Sequence, residues 1–581
     1  MPSFTHLLGV ASACVLLAAC SKASDPIPVP AGLGSPAVAV AAAPPAAASA
    51  AGGSAPASAA AAVGIAWQQA ASDADVDAAF AQARQAQKPV FVYWGAKWCP
   101  PCNQLSATLF NRQDFIERSR AFVPVYVDGD RPGAQKLAGR FKVRGYPTMV
   151  LFDAQGTELT RLPGEVDAAQ YTQVLTLGMN AQRPVKAVLA DALAGGSAAA
   201  RLNANDWKLL AFYSWETDEQ QVLPKEKLPA TLRRLAETCP PDQPETATRL
   251  LLKALAATDA QAKPPVPPDP AARAKLLQVL ADPARAREHM DVLTNNAAEL
   301  SRALSAGGTP ERALLVDAFN PALQRLAADT SLSRADRMMA VIARIELAKP
   351  AAAKDGKDAK AAKAAKAAAK PARASVQPVV LPAALLAEVR EHTARADREI
   401  TDGYERQAVI TTAAYMLGQA GLLDESDGLL KANLAKSHSP YYLMSSLADN
   451  AKKRDDKAGA LRWYEQAFDK SEGPATRLQW GAAYVGALVE LAPLDEARIE
   501  RAVQRLLTEA AAQPDAFYER SARSLQSVGN KLQRWNQGGA HAGAVKRLQT
   551  TLDAVCGHLG SADPQRATCE ALLRPAATKA V

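Results

Sequence analysis

Residues 65–182 combine short apolar runs with amphipathic stretches, which predict strands and helices. The apolar runs occupy 89–94, 122–127 and 148–152, and a further strand-like run occupies 158–162. The amphipathic stretches occupy 73–87, 103–120, 134–141 and 167–177. Continuous apolar runs are typical of strands that are buried on both faces, and the turn at 153–156 makes a hairpin of the last two. This order predicts an α/β domain with a mixed central sheet and helices on both faces.

The chain beyond residue 182 keeps a helical period. Apolar residues recur three and four positions apart, with Pro and Gly between the segments. The segments around Ser426 and Ala460 resemble the second helix of tetratricopeptide-like units, and these residues stand 34 positions apart, the period of that repeat. We expect a large all-α helical-repeat region, with an irregular α-helical bundle as the alternative. The histidines of this region are scattered and form no catalytic pattern.

The length of the chain predicts the number of domains, and its charge distribution bears on the kind of partner it binds. The 581 residues predict about three or four domains. The net charge is +8, and residues 349–373 carry +6 of it, so no spread basic surface indicates nucleic-acid binding. The Lys/Ala-rich segment 349–377 gives no single apolar face and predicts a low-complexity insertion. The alternative for this insertion is a basic patch that contacts anionic lipid or another polyanion.

The N-terminus has the pattern of an export signal. Residues 7–19 are apolar, which suits a signal-peptide core and is short for a membrane span. They lead into Leu17-Ala18-Ala19-Cys20, which resembles the lipobox of bacterial lipoproteins and implies a lipid on Cys20. Ser21 after the cysteine resembles outer-membrane sorting. No Lys or Arg precedes the apolar run, and a plain secretion signal is the alternative.

Residues 21–64 consist almost wholly of Ala, Pro, Gly and Ser. Such a segment buries too little apolar area to offset its ordering entropy, so it predicts a disordered Ala/Pro-rich tether. A coil of this length spans roughly 35–40 Å. With a lipid at one end and a folded domain at the other, this segment would be a flexible membrane tether.

The candidate chemistry lies at Cys99-Pro100-Pro101-Cys102, where an apolar run meets a helical stretch. The reacting species of a cysteine is its thiolate, which the N–H groups at a helix N-terminus favour. Two intervening residues bring the second cysteine one turn on, within reach of a disulfide. We therefore assign Cys99 as the nucleophile and Cys102 as the resolving thiol. Prolines at the first helical positions remove N–H donors, which favours a reducing pair.

Three features together resemble the thioredoxin superfamily. Trp98 precedes the CxxC motif, Gly145-Tyr146-Pro147-Thr148 precedes the third apolar run, and Gly156 and Gly164 punctuate the terminal hairpin. The resemblance implies that Pro147 is a cis-proline and that Trp98 and Tyr146 contact the substrate. The extended form of the domain looks most like the periplasmic reductase domain of DsbD-type interchange proteins. That likeness implies a membrane electron donor of the DsbD type.

One position departs from the thioredoxin pattern. The family has a buried Asp six residues before the first cysteine as proton acceptor, whereas this chain has Tyr93. Either another group takes the proton of Cys102, with water, Glu117 and Asp128 as candidates, or turnover is slower.

The remaining cysteines indicate structural roles. A lone CxxC supplies two of the about four ligands that zinc needs, and residues 65–182 contain no histidine, so we expect no metal and no cofactor. Cys556 and Cys569 flank a turn between helical segments and predict a disulfide, with two buried free thiols as the alternative. Cys239 is then unpaired, and would be buried or pair with another chain.

These observations divide the chain into six segments. They are a lipoprotein signal peptide at 1–20, the tether at 21–64, a thioredoxin-like domain at 65–182, a helical region at 183–348, the insertion at 349–377 and a tetratricopeptide-like region at 378–581. The predicted function is a lipid-anchored, periplasm-facing thiol–disulfide oxidoreductase of the bacterial cell envelope, more consistent with the outer membrane than the inner. Its partners would be protein thiols and disulfides, chosen by the helical region. The alternative is an envelope scaffold in which the helical repeats bind a partner and the thioredoxin-like domain docks.

Overall fold

The computed structural model describes residues 64–164, 166–258, 267–349 and 381–574. The predicted signal peptide with Cys20, nearly all of the tether and nearly all of the Lys/Ala-rich insertion lie outside these residues.

A five-stranded mixed sheet forms the centre of the α/β domain (residues 64–182). Its strands are β1 (Gln68–Gln69), β2 (Val90–Gly95), β3 (Val123–Asp128), β4 (Thr148–Phe152) and β5 (Glu158–Leu162). The spatial order is β1-β3-β2-β4-β5. β3 runs parallel to both β1 and β2, whereas β4 runs antiparallel to its neighbours. The predicted mixed sheet is confirmed.

Helices cover both faces of this sheet, as predicted. They are α1 (Asp73–Ala86), α2 (Pro100–Thr108), α3 (Gln113–Arg118), α4 (Ala134–Arg140) and α5 (Ala168–Met179). Successive side chains of a strand point to opposite faces. Val90, Val92 and Trp94 accordingly pack with α1 and α4. Phe91 and Tyr93 pack with α2, α3 and α5. The run 89–94 is wholly apolar because both of its faces are buried.

The helix after the CxxC motif is shorter than the pattern predicted. The sequence predicted one helical stretch to about residue 120, but the structure ends α2 at Thr108 and begins α3 at Gln113. Leu109 and Phe110 are buried in the core beneath the sheet, and both of their N–H groups bond to the carbonyl of Leu105. The bond from Phe110 spans five residues instead of the four of an α-helix, so the turn widens and the helical hydrogen-bond ladder stops there.

The region from residue 183 onward, here called the helical array, consists of helices. Its α-helices before the insertion are Val185–Ala194, Gly196–Ala199, Ala204–Phe212, Leu228–Thr238, Pro244–Ala256, Pro270–Ala281, Pro283–Glu288, Met290–Asn295, Ala297–Leu304, Pro310–Ala328 and Arg334–Ala348. Those after it are Ala383–Glu399, Gly403–Gln419, Leu423–Asn433, Pro440–Lys453, Lys457–Lys470, Pro474–Leu491, Glu496–Ala511, Glu519–Trp535, Ala542–Gly557 and Gln565–Glu570. Short 3-10 turns occur in the array at Lys225–Lys227, Leu434–Lys436 and Gln537–Gly539, and in the α/β domain at Ser119–Ala121. The predicted all-α region is confirmed. No helix within the described ranges has the length and apolar character of a membrane span.

The helical array touches the α/β domain on several sides. Helix Ala204–Phe212 packs against α5, helix Gly403–Gln419 against α2, and helix Glu519–Trp535 against α4. The array therefore contacts the helices on both faces of the sheet, including the helix that begins at the CxxC motif.

Candidate active site

The two cysteines of the CxxC motif form a disulfide at the N-terminus of α2, with their Cα atoms 5.2 Å apart. Cys99 is the N-cap residue, and Pro100 and Pro101 fill the first two helical positions. Since proline has no N–H, the backbone N–H of Cys102 is the first donor available, and it points at Cys99 Sγ over 3.3 Å. After reduction this N–H and the helix dipole would stabilise a thiolate on Cys99.

The loop before β4 lies directly beside the disulfide. The Tyr146–Pro147 peptide bond is cis. The carbonyl oxygen of Tyr146 lies 3.6 Å from Cys99 Sγ. The phenol oxygen of Tyr146 accepts a hydrogen bond of 2.9 Å from Gln135, which anchors the ring on α4. Tyr146 and Pro147 are half-buried.

Tyr93 stands in an aromatic cluster beneath the motif. Its ring stacks on Tyr126 at 5.2 Å and meets Phe110 edge-on at 4.9 Å between ring centres. Burial raises the pKa of Tyr93 well above its ordinary value, so this phenol stays protonated at neutral pH and takes no proton from Cys102.

The two carboxylates considered as proton acceptors for Cys102 lie in different environments. Glu117 is exposed and accepts a hydrogen bond from Gln113 on the surface of α3. Asp128 ends β3 opposite Gly95, which lies at the end of the strand that leads into the motif. Burial raises the pKa of Asp128; the backbone N–H of Asp130, which donates to this carboxylate, opposes the shift, and the charge of Asp130 adds to it. Of these two carboxyl groups, Asp128 is the one that lies at the end of the sheet beside the strand leading into the motif.

Trp98 is held by residues of both parts of the chain. Its indole N–H donates to Asp130 over 2.8 Å. Its ring stacks on Tyr442 of the helical array at 5.9 Å. The guanidinium of Arg520, also from the array, lies 5.0 Å from the centre of the Trp98 ring. The array therefore occupies the surroundings of a residue that the sequence assigned to substrate binding.

Asp130 is the central contact between the two parts. It accepts hydrogen bonds from the backbone N–H of Thr476 at 2.9 Å and from the Thr476 hydroxyl. Arg520 pairs with it at 3.0 Å, and the side chains of Asp130 and Arg520 are only 12% and 11% exposed. Gly473 allows this approach, because a Cβ there would lie 2.7 Å from Asp130 Cβ. Sequence reasoning missed these residues, since no local pattern links positions 346 and 390 residues apart.

Two further contacts hold the array over the α/β domain. Gln104 on α2 donates to the hydroxyl of Ser333 at 3.1 Å and to the carboxylate of Asp336 at 2.8 Å. The carboxylate of Asp515 accepts the N–H groups of Gly133 and Gln135 at the start of α4, at 2.9 and 3.0 Å. These bonds hold α2 and the start of α4 against the helical array.

The result is a buried redox pair. Cys99 is 2% exposed and Cys102 is 3% exposed. A thiolate must approach the sulfur it attacks, so this burial restricts the access of another protein to Cys99.

The other cysteines lie in the helical array. Cys556 and Cys569 form a disulfide with their Cα atoms 5.7 Å apart. Cys239 is a free, half-buried thiol that faces the carbonyl oxygen of Gln243 at 3.8 Å. Burial raises the pKa of Cys239 to about 11, which keeps it protonated and unreactive at neutral pH.

One group of side chains in the described residues has the spacing of metal ligands. Glu245, Glu288 and His289 bring one ligand atom each within 4.8 Å of one another. Arg285 already pairs with Glu245 at 3.0 Å. Burial lowers the pKa of His289, and the charge of Arg249 lowers it further. The cation at this cluster is therefore an arginine of the chain itself.

Comparison with known proteins agrees with the geometry of the α/β domain. Residues 76–178 match a family model described as a thioredoxin-like domain. The chain is 33% identical over 113 residues to the thiol:disulfide interchange protein DsbD 1 of Pseudomonas aeruginosa, and the match covers 19% of each chain. It is 33% identical over 114 residues to DsbD of Yersinia pestis, again 19% of each, and 31% identical over 103 residues to DsbD of Vibrio vulnificus, 17% of each.

These matches cover about a fifth of the length of the relatives. They agree with the site, in which a CxxC disulfide begins a helix and a cis-proline loop lies against it. Residues 76–178 therefore belong to the thioredoxin-like domain family, with homologues in DsbD-type thiol:disulfide interchange proteins.

Proposed function

We propose that this protein is a thiol–disulfide oxidoreductase of the bacterial cell envelope that reduces or exchanges disulfides of exported proteins through Cys99 and Cys102. The observation that carries the proposal is the position of Cys99. Its sulfur lies at a helix N-terminus, receives the Cys102 N–H and faces the Tyr146 carbonyl at 3.6 Å. A substrate chain that binds along this loop would bring its disulfide to that sulfur.

The reaction is a two-electron exchange. The Cys99 thiolate attacks one sulfur of the substrate disulfide, a bond forms between them, and the other substrate sulfur leaves and takes up a proton. Cys102 then loses its proton and attacks Cys99. The mixed disulfide breaks, the second substrate thiol leaves, and the Cys99–Cys102 disulfide forms. Asp128 is the carboxylate that we assign as acceptor of the Cys102 proton.

Each turnover as a reductase leaves the protein oxidised, so a dithiol donor must restore it. The matched relatives are named thiol:disulfide interchange proteins, and we propose a membrane donor of that type. The prolines favour one direction of transfer. Pro100 and Pro101 remove two N–H donors from the helix start, so the Cys99 thiolate is stabilised less than it would be with those donors, which favours reduction of substrates.

We further propose that Cys20 carries a lipid and that residues 21–64 tether the protein to the outer membrane, facing the periplasm. The part of the helical array at 378–581 would be a tetratricopeptide-like region that chooses the substrate. In support, helices Leu423–Asn433 and Lys457–Lys470 begin 34 residues apart, as do Pro440–Lys453 and Pro474–Leu491.

The experiment that tests the function is the redox equilibrium of Cys99–Cys102 in the full mature chain. The protein is equilibrated in dithiothreitol and glutathione buffers, free thiols are alkylated, and peptide masses identify each cysteine. We expect a midpoint near ~−270 mV, as for thioredoxin, whereas one near ~−120 mV would indicate an oxidant. A pair that never exchanges would overturn the proposal.

A second candidate function is an envelope scaffold without redox turnover. The observation that favours it is the burial of Cys99, which is 2% exposed. Mixed-disulfide trapping separates the two functions. A Cys102→Ser variant lacks the resolving thiol, so an oxidoreductase accumulates covalent complexes with its substrates in cells. The Cys99→Ser variant is the matched control, and a scaffold accumulates no complexes with either.

A further inference from the structure

The surface of the α/β domain beside Cys99 holds a guanidinium group of the same chain. The central carbon of the Arg520 guanidinium lies 5.0 Å from the ring centre of Trp98 and 5.2 Å from that of Tyr146. Arg520 also pairs with Asp130 at 3.0 Å. Aromatic faces and a carboxylate are the groups that attract an arginine most strongly in proteins. Trp98, Tyr146 and Asp130 therefore have the chemistry of a cation-binding site.

This site is adjacent to the reacting sulfur. Trp98 directly precedes Cys99, and the backbone carbonyl of Tyr146 lies 3.6 Å from Cys99 Sγ. The indole N–H of Trp98 donates to Asp130, which fixes the carboxylate next to the ring. A polypeptide that presents its disulfide to Cys99 has to cover the same surface.

Arg520 fills the site without satisfying all of its own donors. Nη2 donates to Asp130 and to the Thr476 hydroxyl, at 3.0 and 3.1 Å. Nε and Nη1 are buried and have no hydrogen-bond acceptor among the described residues. The guanidinium is thus held by two ring faces, one carboxylate and one hydroxyl. An arginine of another chain can reproduce the contacts with the rings and the carboxylate.

The same contacts lie beside the buried redox pair. Tyr442, Thr476 and Arg520 all belong to the helical array and contact Trp98 or Asp130, whereas Cys99, next to Trp98, is 2% exposed. Withdrawal of Arg520 alone would leave the Asp130 carboxylate without its cation, which is costly for a buried charge. A cation supplied from outside removes that cost.

We propose that Trp98, Tyr146 and Asp130 form a binding site for an arginine side chain of the protein substrate, and that Arg520 fills this site while the helical array covers Cys99. The inference rests on the proposed disulfide exchange at Cys99. A substrate that carries an arginine close to its disulfide displaces Arg520, takes its place on Asp130 and uncovers the sulfur. Electrons and protons then move as in the exchange described above.

The experiment compares two peptide disulfides that differ in one side chain. One has an arginine two residues from its cysteine, and the other has citrulline, which keeps the shape and lacks the charge. The pre-reduced full mature protein is mixed with each peptide in a single turnover. We expect reduction about tenfold faster with the arginine peptide, the scale of one desolvated cation–aromatic contact.

Two variants distinguish the role of Arg520, which fills the site, from that of Asp130, which binds the arginine. Arg520→Met should react faster than wild type with both peptides and still prefer arginine, because Asp130 is free. Asp130→Asn should lose the preference. Arg547→Met is the matched control, since Arg547 pairs with Glu500 on an exposed surface of the array, and it should behave as wild type. If Arg520→Met does not fold, Thr476→Val loosens the same carboxylate, and the wild-type comparison stands without either variant.

Equal rates with the two peptides would overturn the arginine site, as would an Arg520→Met variant that reacts no faster than wild type. If the Cys99–Cys102 pair still equilibrates with glutathione, the oxidoreductase function survives that result. A pair that reacts with neither glutathione nor peptide overturns both.

Discussion

Asp130 and Arg520 form an ion pair at 3.0 Å across 390 residues of sequence. Both side chains are largely withdrawn from solvent, and Thr476 supplies two further hydrogen bonds to the carboxylate. The pair joins the α/β domain to the helical array. It therefore couples the stability of these two parts of the chain.

Removal of both partners should destabilise the folded chain by less than the sum of the two single removals. Arg520→Met leaves a buried carboxylate unpaired, and we expect a loss of about 3 kcal/mol in the free energy of unfolding. The double variant Asp130→Asn with Arg520→Met should lose less than the sum of the single variants, by about 1–3 kcal/mol. Urea denaturation followed by tryptophan fluorescence measures the cycle. Additive losses would show that the two residues do not interact.

Pro101 should control the reactivity of Cys99. Pro101→Ala restores an N–H at the second helical position, which can donate to the N-cap side chain. Since this bond stabilises the thiolate, the pKa of Cys99 should fall and the midpoint potential should become less negative, by about 30 mV if the bond contributes ~1.4 kcal/mol. Thiolate absorbance against pH and the redox equilibrium measure both. Pro100→Ala restores an N–H at the first position, where we expect a smaller effect.

The Cys556–Cys569 disulfide should stabilise the C-terminal helices alone. It closes a loop with a sequence separation of 13, and both cysteines are buried. Replacement of both by alanine should cost about 3 kcal/mol in thermal or denaturant unfolding. The midpoint potential of Cys99–Cys102 should stay unchanged, and a shift would contradict the separation of the two disulfides.

Asp449 should make the array less stable as the pH rises. It is buried with Oδ2 unpaired among the described residues. Burial raises its pKa to about 8, although Lys453 and Lys452 oppose the effect. Because the unfolded carboxyl ionises near ~3.9, the folded state holds one more proton between about pH 4 and 8.

The free energy of unfolding should therefore fall as the pH rises through that window. Asp449→Asn removes this proton uptake, so its melting temperature should fall less between pH 5 and 8 than that of wild type. Parallel pH profiles would show that Asp449 titrates normally.

Much of the α/β domain could be predicted because its signals are local. The strand-like runs at 148–152 and 158–162 match β4 and β5 residue for residue. The helix from Asp73 begins where Ser72 and Asp75 form a capping box, which satisfies the free N–H groups of the first turn. Such features depend on residues within a few positions of one another.

Other elements carry no local signal. The short strand β1 is formed by Gln68 and Gln69, whose polar side chains show no strand pattern, and it exists because β3 offers a free edge. The end of α2 at Thr108 depends on where Leu109 and Phe110 find core space. The spacing of hydrophobic residues alone predicts neither strand β1 nor the end of α2.

The sequence by itself determined the sheet of the α/β domain, the CxxC pair at a helix start and the helical character of the remainder. Each follows from periodicity, capping and spacing over short stretches of chain. Only the tertiary structure decided that helix Glu519–Trp535 brings Arg520 to Asp130, Trp98 and Tyr146, and that Cys99 beside them is buried. These contacts join residues hundreds of positions apart. Their energy comes from complementary surfaces and opposite charges that come together only when the chain has folded.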